Sequence, residues 1–239
     1  MTTLRTLALA TALVTTSLFQ VGCGNEEYDE NSLSEVTEAD EKADTTGTTF
    51  VWVRPGAFTI QCLREPCSTI MASEVNGANQ QLIYAIDYRA LKLSSAQKKN
   101  AEENRGKTLL YGKYTKTTVS GETVSVLQIT RGHMAASERT TDNPAKDVYF
   151  GGKTNATVCV TDPCTTIDVQ QLNSTTTASS TWTKLDLSKL GVSTSAESQI
   201  QTEFRNNTAY VAVTGAITGG VAKISQVFRT LKASPLPVK

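Results

Sequence analysis

The chain has 239 residues, 39% hydrophobic and 19% charged, with 23 basic and 23 acidic side chains. That composition excludes collagen-like, low-complexity and polytopic membrane classes. The net charge of zero hides an asymmetry: residues 24–48 hold nine acids and one base, whereas residues 49–239 hold 21 bases and 14 acids.

In chain order, Arg5 supplies one positive charge ahead of a mostly apolar and small run from Thr6 to Val21. That is the plan of a secretory leader, and it is short for a membrane span, which needs about 20 apolar residues. The run closes Gln20-Val21-Gly22-Cys23, a small residue before cysteine, which resembles the lipidation box of bacterial lipoproteins with Gln20 where Leu is usual. The expectation is a signal peptide over 1–22 and acylation of Cys23. Residues 23–48 are then the lipidated cysteine and an acidic tether, too poor in apolar groups to offset its own ordering entropy and extended by self-repulsion. This predicts a lipid-anchored protein of the outer membrane, or a secreted or periplasmic one if Cys23 is not acylated.

The rest of the chain echoes itself. Cys62-Leu-Arg-Glu-Pro-Cys67-Ser-Thr-Ile70 parallels Cys159-Val-Thr-Asp-Pro-Cys164-Thr-Thr-Ile167 at an offset of 97, and Asn76 and Asn173 keep the same spacing. Asp87 to Ser94 parallels Asp186 to Ser193 at 99, and Gln128 to Arg131 parallels Gln226 to Arg229 at 98. The reading is two repeats, 49–136 and 147–234, joined by a polar linker at 137–146 and followed by a tail at 235–239.

Within the first repeat, Thr49–Val53 and Leu82–Tyr88 are rich in strand formers, and Ser94-Ser-Ala-Gln97 is a capping box opening a helix that ends near Asn104. Thr108–Tyr114 and Thr123–Ile129 are strands about Ser120-Gly121. The second repeat offers strands at 148–150, 157–160, 167–172 and 182–187, then Thr194-x-x-Glu197 as a capping box. Ala196, Ile200 and Phe204 form one apolar helix stripe, and strands at 209–217 and 222–228 surround Gly219-Gly220. The expected fold class is α+β: two tandem copies of a small antiparallel sheet packed with one helix. A small β-barrel with one helix per copy is the alternative.

Four cysteines besides Cys23 fall in two local pairs, which in an exported chain predicts disulfides Cys62–Cys67 and Cys159–Cys164. Each would close a short loop, a staple of roughly 2 kcal/mol. A zinc site would need both pairs to converge at an unusual spacing, and redox work normally uses C-x-x-C. The loop tips, Arg64-Glu65 and Thr161-Asp162, are candidate binding elements, because a preorganised loop binds at lower entropic cost.

Catalytic signals are sparse. His133 is the only histidine and aligns with Leu231, and no G-x-S-x-G elbow accompanies it. Asp87 and Asp186 recur as strand-end residues suited to capping a turn. Lys98, Lys99, Arg105, Lys107, Lys113 and Lys116 cluster mildly near Tyr111 and Tyr114, which reads as a solvated face in an exported protein. Sequons stand at Asn155, Asn173 and Asn206. The Cys-x4-Cys segment, Asp87 to Ser94 and the Leu-Leu-x-Gly strand ending at Gly112 resemble a family of uncharacterised exported domains of myxobacteria and related bacteria. That resemblance implies no activity. The expectation is a non-enzymatic cell-envelope lipoprotein with a binding or structural role, without cofactor, metal or nucleic acid. Its partners would be the membrane, through the anchor, and a protein or anionic polysaccharide. An exported inhibitor or adhesin using the stapled loops, or a cryptic hydrolase around His133, are the alternatives.

Overall fold

The computed structural model describes residues 47–55, 66–137, 147–155, 166–174, 180–215, 217–233 and 236. The first half contributes β1 (Thr49–Pro55), β2 (Ile70–Glu74), β3 (Gln80–Ile83), β4 (Ala85–Asp87), helix α1 (Ser95–Glu103), β5 (Thr108–Val119) and β6 (Glu122–Ala135). The second contributes β7 (Val148–Thr154), β8 (Ile167–Gln171), β9 (Ser180–Trp182), β10 (Lys184–Asp186), helix α2 (Thr194–Arg205), β11 (Ala209–Val213) and β12 (Val221–Thr230).

Local chemistry accounts for these elements. Ser120 and Gly121 take φ of 50° and 83°, and Gly219 and Gly220 take 58° and 74°. Two positive-φ residues make the tight turn whose twist matches paired strands, so each doublet folds its flanking strands into a hairpin. Ser94 Oγ accepts from Gln97 N at 3.3 Å and Gln97 Oε1 accepts from Ser94 N at 3.0 Å, the expected capping box. At α2 the cap is Ser193, whose Oγ accepts from Ala196 N at 3.3 Å, one residue earlier than the Thr194-x-x-Glu197 pattern suggests. Ala196, Ile200 and Phe204 are the buried face of that helix.

The expected pair of small α+β copies is not what forms. One twelve-stranded sheet runs β3-β2-β1-β5-β6-β12-β11-β7-β8-β9, with β4 on β6 and β10 on β12, and two α-helices accompany it among the described residues. Nor are there two separate barrels, because β6 and β12 pair antiparallel, with Met134 opposite Arg229. An unpaired edge strand invites a partner, and each half supplies the other's. Residues 138–146, most of the expected linker, lie outside the described residues.

Within each half the chain turns back onto the sheet. β3 pairs antiparallel with β2, and after Tyr84 the chain continues as β4, parallel to β6. β9 pairs with β8, and after Thr183 β10 lies parallel to β12. Tyr84 N donates to Ser125 O at 2.8 Å and Thr183 N to Gly220 O at 2.9 Å, so the backbone stays bonded where it changes partner.

Three apolar clusters form the core. One lies around α2, with Trp182, Ile200, Phe204 and Val227. One lies in the first half, with Val51, Ile83, Leu110 and Leu127. The third draws on both halves: Phe50, Val75 and Leu109 meet Tyr149, Leu172, Tyr210 and Phe228. Two asparagines bolt that junction. Asn76 Nδ2 donates to Tyr149 O at 2.8 Å and Leu172 O at 2.9 Å, and its Oδ1 accepts from Tyr149 N at 2.8 Å. Asn173 Nδ2 donates to Phe50 O at 2.7 Å and Val75 O at 2.9 Å, and its Oδ1 accepts from Phe50 N at 2.7 Å. Both sit at positive φ, 57° and 56°, a region that asparagine tolerates better than most residues. The equal spacing seen in the sequence is thus a reciprocal clamp, and the Asn173 amide of one sequon is already committed.

Candidate functional site

Of the nine residues assigned to lipidation, disulfides and binding loops, eight lie outside the described residues: Cys23, Cys62, Arg64, Glu65, Cys159, Thr161, Asp162 and Cys164. Cys67 is described, half-buried ahead of β2. Asp87 Oδ1 accepts from Arg89 N at 2.9 Å and Asp186 Oδ1 from Ser188 N at 3.1 Å, each starting a short 3-10 turn. Burial pushes the Asp87 carboxyl up, but the hydrogen bonds and charge of Arg89 outweigh it and hold it low. Both aspartates therefore cap turns. Lys98 and Lys99 pair along α1 with Glu102 and Glu103 at 4.0 and 3.9 Å.

His133 is 3% exposed, on β6, with its ring 4.6 Å from that of Tyr210. Strand register makes Phe228 its counterpart, not Leu231, since each lies one residue from the paired Met134 and Arg229. Burial, then repulsion from Arg131, depress its pKa to about 4 against the opposing bond with the Leu109 backbone. It is a neutral packed ring near pH 7.

What the sequence did not reveal is a cleft of about 530 Å³ over the junction between the halves. One wall is a row across three strands: Phe50 on β1 faces Tyr111 on β5, which faces Arg131 on β6. Directly opposed side chains on one sheet face touch. The Arg131 guanidinium accordingly lies 4.0 Å from the Tyr111 ring centre and 5.3 Å from that of Phe50. Arg131 Nη1 donates to Tyr210 Oη at 3.0 Å. Burial raises the Tyr210 phenol pKa, with the Arg131 charge acting against it. Tyr111 Oη and Thr48 Oγ1 are 2.7 Å apart.

The floor is a second row, Gln170 on β8, Gly151 on β7 and Tyr210 on β11. A Cβ on Gly151 would stand 3.2 Å from the Tyr210 ring and 3.4 Å from Asn207 Oδ1, so the missing side chain is what leaves the cleft open. Gly152 faces the other side, where a Cβ would come within 2.3 Å of the Phe204 ring; it lets α2 sit down on the sheet. Lys153 and Asp168 face each other at the rim, and Asp168 Oδ1 accepts from Asn155 Nδ2 at 3.0 Å. A shallower hollow of about 390 Å³ shares Lys153 and Asn207 and adds Arg205. The Gly151-Gly152 doublet inside a strand is the signal that could have been read, because glycine there marks close approach of other groups.

Chemically the cleft offers a fixed cation, hydroxyls and amides over aromatic walls. Among the described residues no three His, Cys, Asp or Glu side chains gather as a metal site, and no helix is long and apolar enough to cross a membrane.

Fold and site together define a sheet-rich protein with a cleft of aromatic walls and a few fixed polar groups between two interlocked halves. The chain belongs to the family described as a domain of unknown function, DUF6748, which it matches over residues 76–228. The matched span begins at Asn76 and includes Asn173, Arg131, Gly151 and Tyr210. No curated relative and no solved structure matches the chain.

Proposed function

We propose that this protein is a non-enzymatic binding protein of the cell envelope, exported by residues 1–22, held at the outer membrane through Cys23, and taking its ligand in the Arg131–Tyr210 cleft. The observation that carries the binding reading is the Arg131 guanidinium, set over Tyr111 and Phe50 and bonded to Tyr210 in an open cleft. Concave sites with aromatic walls and a few fixed polar groups are the usual form of ligand pockets. The export reading rests on the leader, Cys23 and the acidic tether. The same reading assigns disulfides to Cys62–Cys67 and Cys159–Cys164, and places the protein among exported lipoproteins of myxobacteria-like bacteria. An internal duplication of the sequence, folded into one sheet, agrees with the recurring element order and the reciprocal asparagines.

The test has two readouts on protein made with its own leader. Intact mass is expected to start at an acylated Cys23, with four further cysteines alkylated only after reduction. NMR of the mature chain against envelope components is expected to show shifts at the cleft that vanish in Gly151→Leu, a variant that fills it. Ligands whose shifts persist in that variant, or no shifts with any component, would overturn the binding reading.

A further inference from the structure

Resting on that binding reading, we infer that the cleft takes a carboxylate-bearing saccharide, with Arg131 as the fork for its carboxylate and the amide and hydroxyl rim for the sugar. Arg131 is exposed and has no carboxylate partner among the described residues. A guanidinium carries five N–H donors, and one is spent on Tyr210. The rings of Tyr111 and Phe50 limit where the group can sit, so its remaining donors are presented without further ordering cost. A planar fork of that kind matches a carboxylate in bidentate fashion.

The rest of the cleft narrows the class. Lys153 on the rim adds a second cation, and Asp168 opposite it removes much of that gain. A doubly charged phosphate would meet that carboxylate, whereas a singly charged acid with neighbouring hydroxyls would use it, because a carboxylate accepts hydroxyl protons. Gln170 on the floor and Gln171 beside it add amides along β8. Hydroxyls beside one carboxylate are the chemistry of uronic acids and other acidic sugars. The basic body beyond residue 48, with 21 bases to 14 acids, favours approach of a polyanion of such units.

The test is titration calorimetry of the mature full chain at low and high salt with four probes. These are a tetragalacturonate, its methyl ester, a neutral cello-oligosaccharide of equal length, and a tetrapeptide with a free C-terminal carboxylate. The acid sugar is expected to bind in a salt-sensitive way, with the ester and Arg131→Gln each weakening it at least about tenfold. Arg131→Lys is expected not to restore it, since the ammonium lacks the fork. Lys153→Gln, on an exposed side chain, serves if Arg131→Gln fails to fold, and is expected to reduce affinity and flatten the salt dependence. Equal binding of acid and ester, or indifference to Arg131→Gln in a folded variant, overturns the inference, as does binding of the peptide without the sugar. Equal binding of the neutral sugar overturns it too, while leaving the cleft as a binding site. If none of the four probes binds, the acidic-sugar inference fails, and the Gly151→Leu screen decides the binding reading separately.

Discussion

The two halves use one strand plan to different ends, and the difference explains why the cleft lies where it does. The asparagine clamp makes Phe50 and Tyr149 counterparts, since each has both backbone groups held by the other half's asparagine. Two residues on, the first half has Trp52 and the second has Gly151. Trp52 fills its place with an indole that donates to Gly106 O at 3.0 Å. Gly151 leaves its place empty, and the Tyr210 ring leans across it. On the neighbouring strands the first half carries Tyr111 opposite Arg131, and the second carries Ala212 opposite Gln226. The first half therefore supplies Arg131 and the two rings beneath it, and the second supplies the space and the Tyr210 hydroxyl that holds the guanidinium.

The helices differ in the same sense. α1 buries only Ala101 and, Ala96 apart, is otherwise polar, tied along its surface by lysine–glutamate pairs. α2 buries Ala196, Ile200 and Phe204, and adds an ion pair in which Arg229 Nε donates to Glu203 Oε2 at 2.6 Å. The hydrogen bond and charge of Arg229 hold the Glu203 carboxyl below its ordinary range, against partial burial. The largest effect that would sharpen this contrast is Phe204→Ala. Phe204 is fully buried and stacks 5.9 Å from Trp182, so its loss is expected to cost about 3–5 kcal/mol in a urea unfolding curve. A cost below about 1 kcal/mol would mean that α2 is as lightly held as α1.

Next comes the junction. Asn76→Ala or Asn173→Ala each removes three hydrogen bonds to the opposite half, at about 1 kcal/mol per bond. Each variant is expected to lose about 3 kcal/mol, with both halves melting together by hydrogen exchange. Independent melting of the two halves would break the view that they fold as one sheet.

The smallest effect is a pH dependence just above the carboxylate range, where His133 is the shifted group among the described residues. Its folded pKa of about 4 lies below the ordinary 6.5, so the unfolded state binds the proton first as pH falls. Stability is therefore fully present above pH 6.5 and declines between 6.5 and 4, by about 2–3 kcal/mol. His133→Phe, which places in β6 the residue type found at its counterpart Phe228, is expected to flatten that interval. An unchanged slope would assign the acid sensitivity to other groups.

Several of these features were legible in the chain itself. The Ser94 capping box, the α2 stripe and the Gly219-Gly220 hairpin rest on interactions between residues a few positions apart, so local pattern suffices. The paired asparagines were visible as a spacing, and their partners were not, because those are 73 to 123 residues away. Arg131 stood out only as the end of one echoed segment; as a single exposed cation in a strand, it gains meaning opposite Tyr111.

What the sequence by itself determined is most of the strands, both helices and the turns that join neighbours, with an acidic segment ahead of a basic body; it passed over β2 and read β3 with β4 as one strand, because short strands that change partner leave no break in an apolar run. Tertiary structure alone decided that the two halves share one sheet. Edge-to-edge pairing of β6 with β12 satisfies backbone groups that are the same in every residue, so no side-chain pattern announces it. It also decided the site, because register across six strands, not spacing along the chain, brings Phe50, Tyr111 and Arg131 over the gap at Gly151.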